Sequence, residues 1–162
     1  MPTRPTADEA ELAPAPNAAA SAYERDFYSW SLDQARLVRE GRWSAVDRDN
    51  VAEEIESLGR EQFNKLESAI RVLLAHMLKW DHQPAQRSRS WVLSIEAQRL
   101  ELDDVLGDNP GLRPRIGEAI ARGYRKARLE AARETGLEEE QFSEQCPYSW
   151  DEIVSRDFSV GI

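Results

Sequence analysis

A chain of 162 residues, 41% apolar and 31% charged, has the material for one hydrophobic core and a charged surface around it. Its formal net charge of −9 argues against a general binder of nucleic acid or of anionic membrane surfaces. One cysteine, Cys146, excludes an intrachain disulfide framework, no apolar run reaches the roughly 18 residues of a membrane span, and the first residues lack the apolar core of a signal peptide, so a soluble cytoplasmic protein is expected.

Residues 1–20 hold Pro2, Pro5, Pro14 and Pro16 among alanines without apolar periodicity, the composition of a mobile leader. Residues 21–162 are expected to form one all-helical domain. From Ser21, the residues Tyr23, Phe27, Trp30, Gln34 and Leu37 follow a 4-3-4-3 rhythm. They predict a first helix with an aromatic face, closed by Gly41 in a left-handed cap. Trp43 and Val46 predict a short turn.

The central stretch, Asn50 to Trp80, reads as one helix of roughly 46 Å. Val51, Ile55, Leu58, Leu66, Ala69, Leu73, Met77 and Trp80 fall on one stripe. Asn50 is the expected N-cap with Glu53 in capping-box position. Glu56–Arg60, Glu61–Lys65 and Glu67–Arg71 have the favourable i,i+4 order. Gly59 is the one internal break in propensity, a place for a close crossing or a bend.

Asp81-His82-Gln83-Pro84 ends that helix, because proline biases Gln83 away from helical geometry. A third helix starts near Ser88 or Ser90 and buries Trp91, Ile95, Leu102 and Val105. Residues 107–111, Gly-Asp-Asn-Pro-Gly, break the chain. Leu112, Ile116, Ile120, Tyr124 and Ala127 mark a fourth helix ending before Gly136, in which Gly117 and Gly123 weaken intrinsic propensity. Ser149 and Glu152 make a capping box for a last short helix. With no strand signal, the expectation is an all-α helical bundle of about four main helices plus short accessory helices.

Five ordered motifs then fall into place: Tyr23 to Trp30 (YERDFYSW), Asn50 to Gly59 (NVAEEIESLG), Leu73 to Pro84 (LLAHMLKWDHQP), Arg87 to Trp91 (RSRSW), and Glu134 to Leu137 (ETGL) followed by Cys146 to Ile153 (CPYSWDEI). Over about residues 22–158 the chain resembles the bacterial family catalogued as domain of unknown function twenty-nine. The resemblance implies a compact all-helical protein and brings no activity or site residue with it.

The segment from Lys79 to Trp91 is the strongest site candidate. Lys79, Arg87 and Arg89 bracket a proline turn with Trp80 and Trp91 beside them and His76 one turn inward. Arginines at a helix start suit a phosphate or carboxylate, and tryptophan faces can stack a ring. The plainer reading makes the tryptophans core anchors and the arginines partners of helix ends or of acids such as Asp81 and Glu54. For His76 the plain reading is a buried neutral imidazole bonded to a backbone carbonyl or a carboxylate. A metal role lacks the Glu-x-x-His spacing of helical metal sites, so no metal or cofactor is assigned. Glu53, Glu54 and Glu56 spread around the helix and suit caps and pairs. Cys146 has no CxxC partner and reads as a packed residue.

Leu112 to Thr135 carries seven basic and three acidic residues, a local +4, whereas Leu137 to Asp157 carries seven acids against Arg156, a local −6. A basic helix over 113–133 could attract nucleic acid, but intramolecular pairing with the acids fits the overall charge better. No glycine-rich phosphate loop, HExxH, GxSxG or paired-cysteine spacing appears. The leading function class is an interaction or self-association module with a protein partner or a second copy. The alternative is an enzyme or binding protein for a small phosphorylated or carboxylated ligand at the Lys79–Trp91 turn; nucleic-acid binding is third.

Overall fold

The structure, a computed structural model, describes residues 21–160, and the leader expected over residues 1–20 lies outside them. The described residues are all-helical, with no strand: α1 (Ala22–Arg25), α2 (Phe27–Arg39), α3 (Arg48–His82), α4 (Arg89–Asp108), α5 (Ile116–Thr135) and α6 (Trp150–Ser155), joined by loops with short 3-10 turns. None of these helices is long and apolar enough to cross a membrane. Two compact units divide after Glu54.

In the first unit the expected single helix is two. Ser21 and Glu24 close a capping box on α1. Asp26 then leaves helical geometry (φ −153°) and accepts the Ser29 N–H to start α2. The helix breaks at Asp26 because a short carboxylate competes for the N–H groups of the next turn. Gly41 has φ 69°. The Arg42 N–H bonds the Leu37 carbonyl and the Gly41 N–H bonds that of Val38, the 6→1 and 5→2 pair of a Schellman cap. Tyr23, Phe27 and Trp30 cluster edge-to-face or tilted, with centroids 4.7–5.7 Å apart. The Tyr23 hydroxyl donates to Glu54, and that bond leads the causes that push its pKa up to about 12.

The start of α3 departs from expectation. The helix begins at Arg48, and Asp47 rather than Asn50 caps it. The Asp47 carboxylate accepts the Asn50 N–H (3.5 Å), the Asn50 side chain (2.8 Å) and Trp30 Nε1 (3.2 Å), while the Asp47 N–H donates to Gln34 (2.8 Å). Asp47 wins because it completes a network with α2 that Asn50, itself a donor to it, cannot.

In the second unit one core gathers α3 from Phe63 to Trp80, Ile95, Leu102, Val105 and Leu106 of α4, the small face of α5, and Phe142, Ile153 and Phe158. The sequence stripe on α3 is only half buried: Leu66, Ala69, Leu73, Met77 and Trp80 are inside, but Ile55 (63% exposed) and Leu58 (62%) are not. On α5 the buried face is Ala119, Gly123, Ala127 and Ala131 at every fourth position, with Tyr124, while Ile116 and Ile120 are partly exposed and Leu112 lies in the preceding 3-10 turn. Small residues at i+4 spacing let α5 lie close on α3. A Cβ at Gly123 would come within 3.2–3.3 Å of the Glu67 carbonyl oxygen, the Arg71 nitrogen and Ile70. Gly59, where a close crossing or a bend was expected, has nothing within 4 Å, so no described helix crosses close to it.

Arg99 of α4 donates to the carbonyls of Ile153 (2.9 Å) and Arg156 (2.8 Å), satisfying backbone acceptors at the end of α6. Ser88 caps α4, and Ser149 with Glu152 forms the expected capping box on α6.

Candidate functional site

The six residues singled out around the Lys79–Trp91 turn fall into two groups and one outlier. His76, Lys79 and Trp91 form the first. His76 is half-buried and its Nδ1–H donates to the Val72 carbonyl (2.8 Å), which fixes the tautomer and leaves Nε2 as acceptor. Burial lowers its pKa, and Lys79 adds to this against the carboxylates of Glu134 and Glu130. The Lys79 side chain is only 7% exposed; its ammonium bonds Glu134 (2.6 Å) and lies 5.1 Å from the Trp91 ring centroid. The Lys79 bond in turn holds Glu134 below the usual carboxylate range. A cation this buried must be matched by a carboxylate, and Glu134 reaches it from the last turn of α5.

Trp80 and Arg87 form the second group. Trp80 is buried edge-on against Phe158 (5.4 Å). Arg87 donates Nε–H to the Trp80 carbonyl (2.9 Å), with its guanidinium 4.9 Å from the Trp80 ring centroid. It therefore closes the end of α3. Beside it Asp81 accepts from the Tyr148 hydroxyl (2.8 Å) and from both terminal nitrogens of Arg156 (2.9 and 2.6 Å). Burial raises the Asp81 pKa, but those bonds outweigh it and the net shift is downward. Arg89, at the start of α4, is exposed and stands outside both groups.

Three features escaped the sequence reading. Glu134, Tyr148 and Arg156 lie 55 to 75 residues from their partners, and no local period signals such pairs. Glu67 and Arg71, expected to pair with each other, instead bond Lys126 and Glu130 of α5. The basic helix is thus neutralised mostly by α3 and its own acids; of the acidic tail, Glu139 pairs with Arg128 (3.2 Å). The third feature is a depression of about 460 Å³ lined by Arg60, Arg115 and Arg122. A larger one, about 770 Å³, takes Arg122 with Arg125, Lys126 and Glu67.

Among the described residues no group of three His, Cys, Asp or Glu could hold a metal ion. Cys146 is half-buried with its thiol pKa pushed up by burial, conditions that favour packing over nucleophilic use.

The outer side of α2 is apolar as well. At 100° per residue Phe27, Val38, Ala35, Tyr28 and Leu32 fall within an arc of roughly 140°, shared with Ser31 and Arg39, that runs from the edge of the buried side (Trp30, Gln34 and Leu37) at Phe27 round to its back at Leu32. Tyr28 is 72% exposed, Leu32 56% and Phe27 50%.

No curated protein and no solved structure matches the chain. A family model described as Domain of unknown function DUF29 matches residues 22–159. On that match the chain belongs to the DUF29 family.

Proposed function

We propose that the protein is a helical self-association module whose contact surface is the outward face of α2. One observation carries this reading. A helix that buries one side is ordinarily polar on the other, yet α2 buries Trp30 and Leu37 and turns Phe27, Tyr28, Leu32 and Val38 to solvent. Tyr28, Leu32 and Ala35 have the i, i+4, i+7 spacing by which one helix anchors on another.

A second copy is an occupant that charge permits. Two chains of −9 repel, so they associate more easily through a stretch that does not share the overall negative charge. Over α2 one acid, Asp33, faces two bases, Arg36 and Arg39, giving +1. Arg36 is already bridged to Asp33 and Glu40. An isologous pairing brings an identical apolar face to each copy without further components.

Sedimentation equilibrium tests this. The wild-type chain is expected to populate dimers, and Leu32→Glu to remain monomeric with an unchanged melting temperature, since exposed substitutions usually shift stability by no more than about 0.5 kcal/mol. A wild-type chain that stays monomeric across the concentration range overturns the proposal.

The phosphorylated-ligand reading at the Lys79–Trp91 turn finds less support, because the Lys79 ammonium is buried against Glu134 and Arg87 closes the end of α3 on the Trp80 carbonyl.

A further inference from the structure

The geometry points to a binding site for the phosphoryl group of a small soluble ligand in the depression between the first half of α3 and the start of α5, held by Arg60, Arg115 and Arg122, the last two of which pair with Glu118 in the free protein. The depression, about 460 Å³, lies in the size range of small-molecule sites.

Its floor is Phe63, which is buried. The Arg115 guanidinium carbon lies 3.9 Å from the Phe63 ring centroid and that of Arg122 lies 5.4 Å from it. Stacking on one ring holds two planar donor forks in place before any ligand arrives, which is the preorganisation that recognition of a tetrahedral oxyanion needs.

Glu118 shows what those forks accept. Its carboxylate accepts Nε (3.0 Å) and Nη2 (2.8 Å) of Arg115 on one oxygen, and the other oxygen forms an ion pair with Nη2 of Arg122 (2.7 Å). A carboxylate already sits between the two guanidiniums, and it is partly exposed, so it can turn out to water.

A phosphoryl dianion suits the site better than this single charge does. Three arginines stand against Glu61 and Glu118, so the site is +1 with Glu118 in place and +2 once it turns away, in a chain of −9. Ser57 and Asn64 add a neutral hydroxyl and an amide to the wall. Arginine matches phosphate oxygens with paired N–H groups.

The test uses the full-length chain and inorganic pyrophosphate, read by calorimetry and by the Nε–H resonances of Arg115 and Arg122. Pyrophosphate is expected to shift both resonances. Glu118→Gln, which removes the competing charge, is expected to bind about tenfold more tightly, and Arg115→Lys, which keeps the charge but loses the stacked fork, about tenfold more weakly. Circular dichroism confirms that each variant is folded. Absence of any shift in both wild type and Glu118→Gln overturns the site, as does Arg115→Lys binding like wild type. Phosphatidic acid vesicles and a single-stranded oligonucleotide complete the test. Binding of either while pyrophosphate leaves Arg115 unmoved overturns the small-ligand assignment.

Discussion

Gly59 and Gly123 are both helix-interior glycines with the same intrinsic cost, about 1 kcal/mol against alanine. Their surroundings separate them. Gly59→Ala meets nothing within 4 Å and is expected to stabilise by about 1 kcal/mol. Gly123→Ala gains the same propensity but drives a methyl against the α3 backbone at 3.2–3.3 Å. Overpacking of this kind costs about 1–3 kcal/mol, so the net change is expected to be a loss. Denaturant midpoints of the two variants should move in opposite directions, and a Gly123→Ala protein more stable than wild type would contradict the close helix crossing.

His76 carries a pH dependence at the same scale. Burial favours its neutral form, so the folded protein binds this proton less readily than the unfolded chain does. Its contribution to stability is therefore complete above the ordinary value of 6.5 and is lost as pH falls through the lowered folded value. An NMR titration should place the His76 midpoint below 6.5. His76→Gln should flatten the stability profile in that acid window, and a midpoint above 6.5 would contradict the burial assigned to the ring.

At the scale of elements, helix ends were partly legible. Gly41, Gly136, Ser88 and Ser149 cap where their side chains or their freedom at positive φ predict, because a cap is a local contest among a few neighbouring groups. Asp47 was missed, since its advantage over Asn50 comes from Trp30 and Gln34, 17 and 13 residues away. Asp47→Ala is expected to cost about 1–2 kcal/mol and to raise amide exchange in the first turn of α3. Asn50→Ala should cost less. The reverse order would restore Asn50 as the cap.

The i,i+4 pairs teach the same lesson. Glu56–Arg60 forms at 3.5 Å where the helix surface is open, whereas Glu67 and Arg71 turn to Lys126 and Glu130. A local pair worth about 0.2–0.5 kcal/mol yields easily to partners across a partly buried interface.

For the molecule as a whole, charge sets two expectations that salt separates. Association through α2 joins two chains of −9, so added salt should strengthen it by screening repulsion. Binding of pyrophosphate to the arginine depression should instead weaken, because salt screens that attraction. Similar salt responses in both assays would count against assigning the two events to different surfaces.

The helical class, the element order and most helix boundaries could be read from residues alone, because periodicity, caps and breakers act over a few positions. The family motifs were legible too, as the match over residues 22–159 shows. Folding settled the rest: which half of the α3 stripe is buried, that alanines and a glycine form the contact face of α5, and that Lys79 meets Glu134 while Arg115 and Arg122 share Phe63. Those outcomes depend on which surfaces meet across 50 or more residues of chain, and no short-range preference of the backbone encodes such a meeting.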